Sequence, residues 1–359
     1  MSMRAAVVGA GIVGLAAAEA LSRAGVEVRC FERAAPGQAE SAGATRIFRC
    51  AHGNPELVRL AMRARAGWRA WEARYGRQLV GEEGLVVSGA ALAARWRGAM
   101  QAAGAPHRLL SREEVEHLLP VCRPPDGASL WDESAGAIRA AQVVECLRAA
   151  LGERIVPSAV IALHESPAGM RVETTSAAWA CDRVLVAAGI GTLPLAAQQG
   201  LSLPDALVRH ARFTFVPRGP RPELAPACWI EDSGTYGPGL SSYGQPVGDT
   251  GQYAVGVEGE EEYAATLEPS EVSRRSLAIA RRYVEAALPG LDPTPVGELQ
   301  CTYNRLGFPD GDGFAATSRG AVTIVYGNNL FKFAPLLGEL LCRAMLEEEA
   351  PAELMPLVR

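Results

Sequence analysis

Lysine is nearly missing from this 359-residue chain: of 35 basic residues, 34 are arginine and one, Lys332, is lysine. Whatever drift turned the other positions to arginine has left one primary amine in place, which marks Lys332 for a specific task. Basic blocks are missing too. The net charge is −5 and the arginines are scattered among acids, which argues against nucleic acid or an anionic membrane as partner. No apolar run reaches membrane-spanning length, and the N-terminus enters an apolar strand without a signal-peptide pattern, so a cytoplasmic protein is expected. The eight cysteines contain no Cys-x-x-Cys pair and form no disulfide framework in so long a chain; Cys146, Cys181 and Cys342 lie in apolar surroundings and read as small core residues. His52, His107, His117, His164 and His210 show no metal-ligand spacing and read as surface or loop residues, so no metal is expected. Internal repeats and low-complexity tracts are also lacking.

The first thirty-three residues carry the strongest motif. Met3–Val8 is a short apolar strand, Gly9-Ala10-Gly11-Ile12-Val13-Gly14 a Gly-x-Gly-x-x-Gly turn, the Ala- and Leu-rich run to Gly25 a helix, and Val26–Glu32 a second strand ending in an acid. Gly9 serves the tight turn, Gly11 the approach of backbone to a pyrophosphate, and Gly14 close helix–sheet packing. The positive helix end with its unpaired N–H groups then faces the phosphates. Glu32 stands where a carboxylate accepts hydrogen bonds from ribose hydroxyls. Alone the glycine pattern is weak evidence; with strand, helix, strand and acid in register it predicts a dinucleotide site.

At this length two domains are the natural expectation. Ser41–Arg49 mixes small residues with Arg46 and Arg49 and suits anion recognition, though it also reads as a solvated loop. Asn54-Pro55 caps a helix to about Tyr75 with Leu57, Leu60, Ala64, Trp68 and Trp71 on one stripe. Leu85–Val87 is a strand, a helix covers about Ala91–Ala102, and Ser111 with Glu114 makes a capping box. Residues 122–138, rich in Pro, Gly and Asp, read as a crossover between domains. A helix from Ala140 to Leu151, strands near Ile155 and Val160, a turn at Pro167-Ala168-Gly169 and a strand from Met170 lead to Asp182–Gly189, a buried parallel strand. Val208–Val257 alternates as an antiparallel sheet and offers Trp229, Tyr236, Tyr243 and Tyr253 as candidate pocket walls. Ser270 caps a helix to Leu288. Cys301-Thr302-Tyr303, Asp310–Phe314, a strand at Val322–Tyr326 and a last helix from about Pro335 complete the chain.

Thr45-Arg46-Ile47-Phe48-Arg49, Cys301-Thr302-Tyr303 and Phe331-Lys332 ahead of Gly338-Glu339, in this order, resemble the monomeric sarcosine oxidase and N-methyltryptophan oxidase family, amine-oxidising flavoenzymes of the D-amino-acid-oxidase superfamily. The likeness runs from the first strand to the last helix. It implies an α/β (α+β) fold: a Rossmann-like FAD-binding domain from residues 1–84, 139–205 and 299–359, and a mainly antiparallel-sheet substrate domain from 85–138 and 206–298. It implies FAD rather than a nicotinamide, carried by a thioether from Cys301 to the flavin 8α-methyl group; a buried structural thiol is the competing reading of Cys301. Lys332 and Arg49 match positions that hold the substrate carboxylate, and Arg46 matches one beside the flavin ring. The expected cofactor-binding set is Gly9, Gly11, Gly14, Glu32, Arg33, Thr45, Val160, Gly189, Cys301, Gly327 and Phe331. The implied reaction oxidises a C–N bond of an amino acid or a secondary or cyclic amine bearing a carboxylate: hydride passes from the neutral amine's α-carbon to flavin N5, giving an imine, and oxygen takes the electrons as hydrogen peroxide.

The departures are specific. Family members carry a second lysine in the segment matching Asp249–Gly256, which speeds reaction with oxygen; this chain has none there. The histidine preceding Phe-Lys is replaced by Asn329, and another falls near Val257. Sarcosine is therefore not the expected substrate, and a larger or cyclic imino acid suits the changed pocket. A dehydrogenase using a non-oxygen acceptor is the alternative enzyme, and a non-catalytic flavin-binding module the alternative of another class.

Overall fold

The Gly-x-Gly-x-x-Gly segment folds as its residues dictate: strand Arg4–Val8, helix Ile12–Arg23 and strand Glu27–Glu32, with Gly9 at φ +99°, a backbone conformation that a side chain rarely tolerates. The computed structural model describes residues 3–354 apart from 168, 205, 220–224, 260–262, 309–310 and 348–350, so Ala168 of the expected turn and Asp310 lie outside the described residues. The chain divides into two compact units, one of residues 1–42, 141–207 and 303–359, the other of 43–140 and 208–302. Residues 43–84, expected with the nucleotide segment, thus cluster with the second unit.

In the first unit six strands run in the order Gly313–Arg319, Val322–Asn328, Arg183–Val186, Arg4–Val8, Glu27–Glu32, Ile155–Pro157. All neighbours are parallel except the Gly313–Arg319/Val322–Asn328 hairpin. Parallel strands buried on both faces demand continuous apolar runs, and Ala5–Val8 and Val184–Val186 supply them. Helix Ile12–Arg23 is buried almost all round. It receives helix Ala334–Leu346 so closely that a Cβ on Gly338 would sit 2.8 Å from the Ala16 carbonyl oxygen. A three-stranded antiparallel sheet, Val160–Ser166, Gly169–Thr174 and Ala178–Cys181, and helices Ala140–Leu151 and Thr192–Gln198 also belong to this unit.

The second unit holds a sheet in the order Tyr263–Ala264, Leu207–Phe215, Tyr253–Glu258, Ser241–Pro246, Cys228–Glu231, Leu85–Ser88, Ser129–Asp132, Arg108–Leu110, with Gly297–Asn304 also pairing with Leu207–Phe215. Along that order neighbours are antiparallel except where Cys228–Glu231 meets Leu85–Ser88. Period-two alternation sorts its faces: Ala211, Phe213, Phe215, Tyr253, Val255 and Val257 join the core that also buries helix Pro269–Ala287 through Val272, Ala280, Tyr283 and Val284. Helix Pro55–Tyr75 is capped by Asn54, whose side chain accepts from the Glu56 amide, and it buries Leu57, Leu60, Ala64, Trp68 and Trp71 as expected. The Ser111–Glu114 capping box forms.

Three expectations need correction. Residues 122–138 are no crossover: they contain strands Ser129–Asp132 and Gly136–Ile138, and a Cβ on Gly136 would meet the Gly81 carbonyl at 2.1 Å, so its glycine serves packing. The Ser270 cap is not used. Helix Pro269–Ala287 starts one residue earlier with Glu268 before it, because Pro269 supplies a helical φ and has no N–H to satisfy. Trp229 and Tyr253 are core residues rather than pocket walls, the indole N–H donating to Ser88 and the phenol to the Ala227 carbonyl. Among the described residues no helix is long and apolar enough to cross a membrane.

Candidate functional site

The nucleotide end of the first unit is built from glycines whose missing side chains can be tested sterically. A Cβ on Gly9 would lie 2.5 Å from the Ala187 carbonyl oxygen, and one on Gly14 only 1.9 Å from the Gly9 carbonyl oxygen, so strand, turn and helix close on each other only with glycine at both places. Gly11 differs: its nearest neighbour within 4 Å would be the Ser41 hydroxyl at 3.3 Å. That open side at the head of a twelve-residue helix is the approach a pyrophosphate needs. Ser41 Oγ accepts the Ile12 amide at 2.9 Å and fixes the loop against the helix start. Glu32 is committed differently from expectation. One carboxylate oxygen accepts the Ala10 amide at 2.8 Å and the other the Ala34 amide at 3.0 Å, so the acid braces the glycine turn. Each oxygen keeps a second lone pair with which to meet a ribose. Gly189, at φ +57°, follows strand Arg183–Val186, and a Cβ there would strike the Glu40 carboxylate at 2.6 Å. Arg33 is exposed and Val160 half-buried at the start of its strand. The steric cradle at Gly9, Gly11 and Gly14 is one that the pyrophosphate of a dinucleotide fits.

Lys332 belongs to the same unit. Strand Val322–Asn328 ends, Asn329 takes a left-handed conformation at φ +55°, and a single 3-10 turn, Leu330–Phe333, leads into helix Ala334–Leu346. That turn buries Phe331 and Lys332, the latter 6% exposed, and the ammonium donates to Asp312 at 3.1 Å. Asp312 is itself 1% exposed, so this is a buried ion pair. Gly327 is required for a separate reason: a Cβ would lie 2.4 Å from the Gly313 carbonyl oxygen across the hairpin.

The second unit gathers the other expected site residues in two places. Thr45 is buried and donates to the Pro246 carbonyl at 2.9 Å, pinning the Arg-containing segment to the sheet. Arg49 is buried with His52 and Trp96. Its Nη1 lies 3.0 Å from His52 Nδ1 and donates to the Ala51 carbonyl, while the guanidinium stacks 4.4 Å over the Trp96 ring. Beneath this bend Asp132 accepts the Cys50 and Ala51 amides at 2.6 and 2.8 Å. Burial raises the Asp132 carboxyl pKa, against four hydrogen bonds that pull the other way. His52, expected at the surface, is completely buried because it packs on Trp96 and meets Arg49.

Cys301 lies within electrostatic reach of Arg46 and of Tyr243, one of the expected pocket walls, and His210 and Arg212 join them from the same sheet, neither of which was expected at the site. Strand Leu207–Phe215 puts His210, Arg212 and Thr214 on the side opposite the core residues Ala211, Phe213 and Phe215. Arg212 pairs with Gly256, and Gly256 with Tyr243 on the next strand, so one glycine separates the two side chains across the sheet. The Tyr243 ring fills that slot: a Cβ on Gly256 would lie 2.3 Å from it. His210 Nε2 is 2.9 Å from the Tyr243 hydroxyl. A Cβ on Gly43 would lie 2.7 Å from an Arg212 Nη and 3.2 Å from an Arg46 Nη, which sets the two guanidinium groups side by side. Burial, and then Arg212, lower the Arg46 guanidinium to about 10, with Tyr243 and Cys301 opposing. Burial, and then Arg212, push His210 down to about 4, so its ring is neutral at pH 7. Burial raises the Tyr243 phenol and keeps it protonated. The signal for this cluster was present in the alternation His210, Arg212, Thr214 against Ala211, Phe213, Phe215, a strand with a cationic polar face.

None of the curated proteins matches the chain. Among solved structures, NikD, "an unusual amino acid oxidase essential for nikkomycin biosynthesis", superposes with a TM-score of 0.85 at 22% identity, over 99% of this chain and 97% of that one. Glycine oxidase from Geobacillus kaustophilus gives 0.80 at 17% identity over 100% of both chains, and L-proline dehydrogenase from P. horikoshii 0.81 at 17%, over 98% of this chain and 96% of that. At such identities these likenesses establish the fold. The family itself follows from residues 4–344, which match the DAO family: the chain belongs to that family, the FAD dependent oxidoreductases.

Proposed function

We propose that this FAD-dependent oxidoreductase oxidises the C–N bond of an amino acid, or of a secondary or cyclic amine that bears a carboxylate. The observation that carries the reading is the retention of the chain's one lysine as a buried, ion-paired cation at Lys332, together with the buried Arg49. A buried ammonium costs several kcal/mol in desolvation, and arginine was tolerated at every other basic position. Each cation by itself suits a carboxylate ligand, Lys332 in the first unit as a point charge set by Asp312 and Arg49 in the second as a planar fork set by Trp96 and the Asp132-braced bend. Gly9, Gly11, Gly14, Glu32, Ser41 and Gly189 would hold the nucleotide, and Cys301 would carry the flavin covalently. When bound, FAD supplies the two-electron acceptor, and the chain's own residues orient the carboxylate and keep the amine in place for it. The neighbours whose names describe an amino acid oxidase and a glycine oxidase support this substrate class.

Oxygen is the proposed electron acceptor, and hydrogen peroxide and an imine the products. Two observations favour a second reading, a dehydrogenase passing electrons to another acceptor: the segment Asp249–Gly256 lacks lysine, and one structural neighbour is named a dehydrogenase. The test is an assay of the holoenzyme with N-methyl, secondary and cyclic amino acids, trapping the carbonyl formed when the imine hydrolyses. It is run in air with peroxide measured, and under argon with a quinone. Turnover with peroxide in air supports the oxidase, and turnover with the quinone alone the dehydrogenase. No carbonyl product under either condition refutes both.

A further inference from the structure

Strand Gly297–Asn304 carries Cys301, and burial does not hold it in place. It pairs among the described residues with Leu207–Phe215 alone, and none of its eight residues is buried. Side chains fasten it instead. Successive residues of a strand point to opposite faces, and the alternate residues Glu298, Gln300 and Thr302 are all tied to the chain around the start of helix Pro269–Ala287. Ser273 Oγ donates to the Glu298 carboxylate at 2.7 Å, and Gln300 Nε2 donates to the Pro269 carbonyl at 3.0 Å. At Thr302 the tie is Arg209, whose Nε donates to the Thr302 hydroxyl oxygen at 3.3 Å and whose Nη1 donates to the Leu267 carbonyl at 2.6 Å. The first two bonds are exposed, where water competes for them, whereas both bonds of Arg209 are half-buried and carry the guanidinium charge. The residues in between face the other way. Leu299 reaches the space beside Gly43 that Arg46 and Arg212 also reach, and Cys301 acts electrostatically on Arg46 and Tyr243.

We propose that Arg209 is a positioning residue for flavin attachment: by holding Thr302 from the face opposite Cys301, it fixes the rotation of the edge strand and so the direction in which the sulfur is presented. A strand free to twist about its axis would still leave FAD bound. It would present the sulfur in the bonding direction only part of the time, which slows a step that needs its reacting atoms about 3–3.5 Å apart. The net step forms a C–S bond between Cys301 and the flavin 8α-carbon and breaks the thiol S–H and one methyl C–H bond. The two hydrogens reduce the flavin by two electrons, and dissolved oxygen takes these up as hydrogen peroxide. Arg209 touches none of the reacting atoms and acts through Thr302. This inference rests on the proposed thioether at Cys301.

The test separates attachment from binding. Wild type, Arg209→Met, Thr302→Val and Thr302→Ser are purified as holoproteins from cells harvested early and late after induction. Total flavin per protein is measured first, and then the share that stays with the acid-precipitated pellet. Wild type and Thr302→Ser, which keeps the hydroxyl, should retain nearly all their flavin in the pellet. In Arg209→Met and Thr302→Val the retained share should be at least twofold lower at the early harvest, with total flavin unchanged. A merely structural role for Arg209 would lower total flavin and leave the covalent share of what is bound as in wild type, and that result overturns the proposal. So does a wild-type share in both variants at both harvests. Thr302→Val is close to isosteric and leaves Arg209 in place, so it decides the matter even if Arg209→Met does not fold. Failure of the underlying reading is seen separately, as complete release of flavin from the wild-type pellet.

Discussion

His210 stays uncharged near neutrality because burial and Arg212 hold its imidazole at about 4, against an ordinary value of 6.5. A depressed folded-state value means the unfolded chain binds the proton first. The associated stability is therefore whole above pH 6.5 and is lost as pH falls from 6.5 through 4, by up to about 3 kcal/mol. Urea unfolding of His210→Asn across this window should show a flatter pH profile than the wild type; identical profiles would mean that His210 titrates normally. Lys332 and Asp312 make the opposite kind of site, a buried pair in which each charge depends on the other. Lys332→Met should cost roughly 3–5 kcal/mol by stranding the Asp312 carboxylate. The double variant with Asp312→Asn should recover most of it in chemical denaturation, and a double variant no more stable than Lys332→Met would contradict the pairing.

Among the elements, the glycine turn and its helix were fully legible, because each glycine has a distinct steric reason that the spacing announces. Gly14→Ala must push a methyl against the Gly9 carbonyl, backbone against which nothing can give. It should cost about 3 kcal/mol or more, and the purified protein should show a reduced flavin-to-protein ratio. Gly98, exposed within helix Ala90–Ala103 and with nothing within 4 Å of an added Cβ, is the contrast. Gly98→Ala should stabilise by about 0.5–1 kcal/mol with the flavin ratio unchanged; a loss of stability would show that the helix is strained there. Helix Pro55–Tyr75 and the Ser111 capping box were equally readable, since their signals are local. The Arg212 cluster was not. Its members come from strands whose order, Leu207–Phe215 beside Tyr253–Glu258 beside Ser241–Pro246, sets Tyr243 opposite Arg212 across Gly256, and only the register reveals that neighbourhood. His52 was misread for a similar reason, because the residue that buries it, Trp96, lies on a helix more than forty positions away.

For the whole molecule, the family could be read from a few dispersed residues, while burial and pairing could not. The sequence marked Lys332 by its rarity but gave no hint of Asp312 as its partner, and it marked Arg49 without showing the Trp96 stack. The proposed thioether makes a further prediction: after acid precipitation the yellow colour should remain with the wild-type pellet and appear in the supernatant for Cys301→Ser, and equal release from both would remove Cys301 from that role. The central claim, oxidation of a carboxylate-bearing amine by the bound flavin, is tested most directly by mixing the holoenzyme anaerobically with a panel of secondary, cyclic and dicarboxylic amino acids and following the visible flavin band. At least one should bleach it completely, and more slowly in Lys332→Met. A flavin that dithionite reduces but no member of the panel touches would contradict the account.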